Sequence, residues 1–265
     1  MTNRPFAVVT GASTGIGLEL ARLALKDGHD VLIVADEPEI ETAANDLRSD
    51  NDGTVETLQA DLATRHGLDA LKERIGGRPV DALMANAGRG LGHAFLEQSW
   101  DDIKEVIDLN VTGTVSLLHD VARDMKARNV GRILVTGSIA GHMPGSFQAV
   151  YNGTKAFVDS FTYALRNELQ DTAVTVTSLQ PGVVDTEFFD RADMLDTKAG
   201  QQAEEGKGST PEDVAKAGYD AMKAGDAGVT PGFMNKVQSL FADLLPDTVV
   251  AQMHRRLAKP RHEAA

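Results

Sequence analysis

The chain contains no cysteine. That excludes disulfide staples, thiolate catalysis and cysteine-ligated zinc in one step. Basic residues are also in short supply: 26 Lys and Arg stand against 39 Asp and Glu, a formal net charge of −13. A field of that sign disfavours nucleic acid and anionic membrane surfaces as partners. It leaves room for an anionic cofactor wherever local dipoles are aimed at it. Long hydrophobic runs are missing too. The apolar stretch from Phe6 to Val9 runs into Thr10 and Gly11, too early for a secretory h-region. No run approaches the ~18 apolar residues of a membrane span. Nor is there an internal repeat, a low-complexity tract or an interdomain linker. A cytoplasmic protein is expected, without nucleic-acid or membrane partners.

What is present suits one α/β domain over residues 1–265, with 42% hydrophobic and 25% charged residues. Apolar runs at 6–10, 31–34, 55–60, 80–84, 132–136 and 174–179 predict strands. Segments with helical spacing separate them: Gly15 to Gly28, Pro38 to Leu47, Leu68 to Ile75, a long one from Asp101 to Lys126, and Thr154 to Leu169. In the last of these, Phe157, Phe161, Leu165 and Leu169 share a face. Strands alternating with helices imply βαβ units, so the expected fold is a doubly wound parallel sheet, the Rossmann fold. The polar stretch Lys198 to Thr210 reads as a mobile loop ending a substrate flap over 186–210. Residues 232–258 read as a C-terminal helical extension covering the core, with Phe233, Val237, Leu240, Phe241 and Leu244, then Val249, Val250, Met253 and Leu257, at helical spacing.

Gly11, Ala12, Ser13, Thr14, Gly15, Ile16 and Gly17 lie between the first strand and first helix. The spacing is G-x-x-x-G-x-G, not G-x-G-x-x-G. Its physics is the same: glycines permit a tight turn and close approach of backbone to a pyrophosphate, and the helix N-terminus offers unpaired N–H groups and partial positive charge. Ser13 adds a hydroxyl. Downstream, Asp61 and Leu62, then Asn86, Ala87 and Gly88, then Pro181 and Gly182, each follow a strand. Each has a simple alternative as cap or turn. Their joint placement at carboxyl strand ends is what marks a dinucleotide site.

Tyr151 and Lys155 stand four residues apart, hence on one helix face. A free phenol has a pKa of about 10, and a nearby ammonium lowers it by ~1–3 units, which suits proton transfer near neutral pH. Ser138, at a strand end thirteen residues before Tyr151, is placed to hydrogen-bond a substrate oxygen. Asn110 falls inside the long helix, where Asn is mildly unfavourable. It reads either as solvent-facing or as a local opening whose carbonyl holds a water relaying protons from Lys155.

In this order and spacing the set closely resembles the short-chain dehydrogenase/reductase superfamily, over about residues 5–190. The resemblance implies an oxidoreductase in which hydride passes between a nicotinamide and an alcohol or carbonyl. Tyr151 is then the acid/base and Ser138 stabilises the substrate oxygen. Lys155 binds the nicotinamide ribose and depresses the tyrosine pKa, and Asn110 supports the relay. Asp61 meets the adenine, Asn86 the adenosine ribose, and Val184 and Thr186 the carboxamide. Asp36, after the second strand, repels a 2′-phosphate and accepts ribose hydroxyls, so NAD is expected over NADP. Its rival role is the N-cap of the next helix. The substrate lining, from His93, Met143, Phe147, Phe188, Phe189 and Met194, predicts a neutral, apolar secondary alcohol or ketone. A homodimer or homotetramer is expected. A cofactor-sensing regulator without turnover and an NADP-dependent carbonyl reductase are the rivals. The complete Asn/Ser/Tyr/Lys set argues against the first of these.

Overall fold

A computed structural model describes residues 4–50, 52–232 and 245–260. Seven strands form one parallel sheet: β1 Phe6–Thr10, β2 Asp30–Ala35, β3 Val55–Gln59, β4 Ala82–Ala85, β5 Gly131–Thr136, β6 Val174–Leu179 and β7 Gly228–Val229. Their spatial order is β3-β2-β1-β4-β5-β6-β7. The chain builds outward from β1 to β3, then returns to pair β4 with β1 at Ala7↔Ala82. That reversal opens a crevice at the carboxyl ends of β1 and β4, where doubly wound sheets bind ligands.

The strands are apolar throughout because both faces are covered. Val9, Ile33, Met84 and Leu134 point to one side, under α1 (Gly15–Lys26), α2 (Ile40–Asp50) and α9 (Pro211–Ala224). Val8, Leu32, Leu83 and Ile133 point to the other, under α3 (Arg65–Ile75), α5 (Thr114–Arg128) and α6 (Ala149–Glu168). The doubly wound Rossmann architecture is therefore the one expected.

Several elements differ from the sequence reading. The helix expected from Asp101 to Lys126 is broken: α4 covers Trp100–Ile107, and Asp108–Gly113 winds as a wider, π-helical turn before α5. Crowding accompanies the break, since a Cβ on Gly113 would lie 2.4 Å from the Leu62 carbonyl oxygen. α6 starts five residues early, at Ala149, so Tyr151 lies in its first turn. Its buried face is Tyr151, Asn152, Thr154, Lys155, Val158, Asp159 and Thr162, while Phe157 is half exposed and stacks on Phe161 with ring centroids 6.0 Å apart. The stretch expected as a loop holds a helix, α8 (Lys198–Glu204), because the Thr197 side chain accepts from Gly200 N at 3.1 Å and caps it. It follows α7 (Phe188–Arg191). α9, capped by Thr210, and the two-residue β7 were not foreseen.

A C-terminal helix covers Asp247–Ala258. Its buried stripe is Val250, His254 and Ala258, while Val249, Met253 and Leu257 are exposed. Phe233, Val237, Leu240, Phe241 and Leu244 lie outside the described residues. Among the described residues no helix is long and apolar enough to cross a membrane, and no cluster of side chains could hold a metal ion.

Candidate active site

One cleft of about 560 Å³ runs along the carboxyl edge of the sheet, from Ala35 and Asp36 at the end of β2 to His254, Leu257 and Ala258 of the C-terminal helix. All the predicted catalytic and cofactor-binding residues line it except Gly17 and Asn110.

The glycine turn forms as its sequence requires. Gly11 and Gly15 take the left-handed conformation, at φ 64° and 57°. Gly17 has no space for a side chain: a Cβ there would lie 2.0 Å from the Gly11 carbonyl oxygen. Thr14 precedes α1 in an extended conformation without a side-chain cap, so the first N–H groups of the helix are offered by backbone alone. A dinucleotide pyrophosphate fits this cradle, since both its anion-binding N–H groups and its close-approach glycines are present. Thr186 Cγ2 stands 3.1 Å from where a Gly15 Cβ would be, and the Thr186 hydroxyl accepts from Phe188 N at 3.3 Å. Backbone at Val184 is held by a bridge to Ser209.

Asn86 binds the scaffold together. Its Nδ2 donates to Gly11 O at 3.1 Å, and its Oδ1 accepts from Thr136 Oγ1 at 3.0 Å. Thr10 Oγ1 accepts from both Asn86 N and Ala87 N, at 3.1 and 3.0 Å. The amide thus joins the ends of β1, β4 and β5, while Asn86 also lines the cleft. Asp61 is exposed, and its Oδ1 accepts from Ala63 N at 2.9 Å.

At the end of β2, Asp36 is exposed in the cleft. α2 begins only at Ile40, so Asp36 is not its cap. The neighbouring Glu37, absent from the sequence reading, accepts from Ser13 Oγ and pairs with Arg191 Nη1 at 2.9 Å. Arg191 also reaches Glu187 at 2.5 Å. The bond between Ser13 and Glu37 is internal to the protein, so the serine hydroxyl is not a free phosphate donor here.

Tyr151, Lys155 and Ser138 meet on the central wall of the cleft, each less than a tenth exposed. Burial pushes the Tyr151 phenol up to about 12. A hydrogen bond with Ser138 pulls it down, and the Asp159 carboxylate pushes it further up. The expected lowering by Lys155 is not realised. Lys155 Nζ lies 5.9 Å from the Tyr151 ring centre and donates instead to Thr136 O at 2.8 Å. Burial holds Lys155 down to about 8, against the pull of Asp159. Ser138 Oγ accepts from Ala140 N at 3.1 Å, capping a short 3₁₀ turn at Ile139–His142.

Asn110 is 2% exposed, so it does not face solvent. Its Oδ1 accepts from Arg89 N at 2.8 Å, and its Nδ2 donates to Arg89 O at 2.9 Å and Thr154 Oγ1 at 3.0 Å. Asn110 thus sits in the π-helical turn and ties the loop segment at Arg89 to α6. A Cβ at Gly88 would lie 3.3 Å from both Asn110 Oδ1 and Lys155 Nζ.

The substrate end is only partly the one expected. Met143, Phe188 and Phe189 line the cleft, and Phe188 packs on Tyr151 with ring centres 5.3 Å apart. His93, Phe147 and Met194 do not line it. His93 pairs outward with Asp193 at 2.8 Å. Phe147, at φ 65°, lies under the Arg255 guanidinium, and Met194 Sδ accepts from Gln148 Nε2 at 2.8 Å. His254 takes up part of that wall. Its Nδ1 lies 3.0 Å from Ser146 O; burial lowers its pKa, and the hydrogen bond to that carbonyl opposes the lowering. Helical spacing within residues 247–258 foresaw the helix but not which face turns inward.

Cradle, strand-end stitching and a Tyr/Lys/Ser wall together define a nicotinamide-linked oxidoreductase site. The family model for short chain dehydrogenases matches residues 5–194, and the chain belongs to that family. It is 36% identical over 215 residues to the NADP-dependent 3-hydroxy acid dehydrogenase YdfG of Salmonella typhi, covering 79% of this chain and 86% of the relative. Among solved structures, a short-chain dehydrogenase from Sphingobium yanoikuyae in complex with NADPH superposes with a TM-score of 0.79 at 27% identity, over 90% of this chain and 96% of that one. The bulky-bulky ketone specific alcohol dehydrogenase of Comamonas testosteroni superposes with a TM-score of 0.75 at 26% identity, over 92% and 94%.

Proposed function

We propose that the protein interconverts a neutral, apolar secondary alcohol and its ketone, with Tyr151 as the acid/base and NAD as the favoured cofactor. The observation that carries this reading is the convergence of Tyr151, Ser138 and Lys155 on one buried wall, beside an apolar surface of Met143, Phe188 and Phe189. A nicotinamide bound in the cradle supplies the hydride donor or acceptor and, when oxidised, a positive charge. The protein does the rest. In reduction the Tyr151 hydroxyl, held protonated by burial, donates to the carbonyl oxygen as that oxygen gains charge. The Ser138 hydroxyl donates to the same oxygen and fixes its direction. Lys155, on the Thr136 carbonyl, keeps an ammonium behind the site. Phe188 against the phenol excludes water from the proton-transfer path.

The bulky-bulky ketone specific neighbour supports a ketone substrate. For cofactor choice, YdfG is NADP-dependent and the Sphingobium structure holds NADPH, and the reading for NAD rests on this chain's own charges. Asp36 is open in the cleft, and the nearby Arg191 is engaged by Glu37 and Glu187. A 2′-phosphate would meet one uncompensated carboxylate and an already paired guanidinium. The test is kcat/KM with NAD(H) and NADP(H) across alcohols and ketones of graded bulk. Turnover of bulky ketones with NADH is expected. Turnover confined to carboxylated or sugar substrates overturns the substrate class, and a preference for NADPH overturns the cofactor assignment.

A further inference from the structure

Beneath the catalytic wall lies a buried carboxylate that the mechanism above does not use. Asp159 is 7% exposed and stands one helical turn past Lys155, so Tyr151, Lys155 and Asp159 form a row on α6 at i, i+4 and i+8. Burying a carboxylate is costly unless donors meet it. They do here: Ser178 Oγ on β6 donates to Oδ1 at 2.9 Å, the Ser138 N–H, just after β5, approaches Oδ2 at 3.5 Å, and the Gln180 side chain just after β6 also favours the charged form. The backbone leaves room for it. A Cβ on Gly137 would fall 1.8 Å from Oδ1, and one on Gly141 would fall 2.6 Å from Oδ2. Two glycines of the segment that carries Ser138 are thus shaped around this side chain.

We propose that Asp159 is a positioning residue for the proton-transfer pair: its carboxylate anchors the backbone of Ser138 to α6 and β6, and its charge sets the field in which Tyr151 and Lys155 exchange protons. The inference rests on the oxidoreductase reading. Among the described residues, the titratable groups that face Asp159 are Lys155, Tyr151 and Tyr163, all on α6; the strand ends meet it with the Ser178 hydroxyl, the Ser138 N–H and the Gln180 side chain. The negative charge favours the ammonium of Lys155 and disfavours the phenolate of Tyr151, in agreement with the direction of its effect on each group. Removing the charge therefore lowers the pKa of both groups. Burial in turn raises Asp159 itself, while Ser178 and Lys155 oppose that rise.

Asp159→Asn keeps the shape and an acceptor but discards the charge. The rising limb of alcohol oxidation and the falling limb of ketone reduction are both expected to move to lower pH, by about one unit, with the cofactor KM unchanged. Ser178→Ala, which removes a donor and so disfavours the charged carboxylate, is expected to move the profile in the same direction by less. It also serves as the deciding variant if Asp159→Asn does not fold. Profiles that coincide with an active wild type, whatever happens to thermal stability, overturn the role of Asp159 and leave the oxidoreductase reading standing. A wild type inactive with every cofactor and substrate overturns that reading, and this role falls with it.

Discussion

The two ends of the cleft are built from different material. At the cofactor end, contacts are made by backbone: Gly11 and Gly15 at positive φ, Gly17 against the Gly11 carbonyl, and strand ends joined by Thr10 and Asn86. At the substrate end, side chains from three separate stretches meet: Met143 after β5, Phe188 and Phe189 of α7, and His254 of the C-terminal helix. Backbone cradles depend on a few residues that only glycine can satisfy, and their geometry is local. A wall of side chains depends on how distant segments dock. The first end therefore tolerates almost no substitution and binds one kind of ligand, whereas the second can change its ligand by small changes in packing.

Between the ends stands Tyr151, and its removal is the largest perturbation the comparison allows. Tyr151→Phe deletes the proton donor while leaving the ring on Phe188. Turnover is expected to fall by ~10²–10⁴, with reduced-cofactor affinity, read by fluorescence titration, left in place. Retention of full activity would place the acid/base elsewhere. Next comes Gly17→Ala. With the new Cβ 2.0 Å from a backbone oxygen, the turn must shift. Overpacking of about 1–3 kcal/mol is expected, read as a lower melting temperature, together with loss of cofactor affinity by roughly tenfold or more. Unchanged cofactor binding would show that the cradle does not hold the dinucleotide.

At the other end, Phe188→Ala enlarges the substrate wall without touching the glycine turn. KM for slim ketones is expected to rise about tenfold, from ~1.5 kcal/mol of lost apolar contact, with less loss for bulky ones and cofactor KM constant. Equal effects on substrate and cofactor KM would mean that the two ends are not separable.

The same contrast explains what the sequence disclosed. Strand positions followed from apolar runs, because strands covered on both faces leave no other pattern. The glycine turn, Ser138, Tyr151 and Lys155 followed from spacing, because local geometry fixes them. What escaped depended on docking. His93 and Phe147 read as lining because they sit in the right loops, but one turns out to Asp193 and the other lies under Arg255. His254 was not singled out, because nothing in its neighbours shows which side of the helix is buried. Asp159 was legible as a fourth-residue repeat after Tyr151 and Lys155, yet only the structure shows Gly137 and Gly141 making room for it. The phenol's direction was misread because spacing gives proximity to Lys155 but not burial, and burial is the larger influence.

Charge at the edge of the cofactor end gives the smallest expected effect. Asp36→Ser removes a carboxylate that is exposed to solvent, so stability should hold. Exposed charges act through water and are screened, with pair effects of about 0.2–1 kcal/mol. The ratio of kcat/KM for NADH over NADPH is accordingly expected to fall by no more than roughly fivefold. Adding Arg191→Gln separates the two ways of reading this edge. If Arg191 only ties α7 to Glu37, the double variant keeps the ratio of Asp36→Ser. If Arg191 instead leaves Glu37 to bind a 2′-phosphate, use of NADPH collapses in the double variant, and cofactor choice at this end belongs to a side chain of α7 and not to the end of β2.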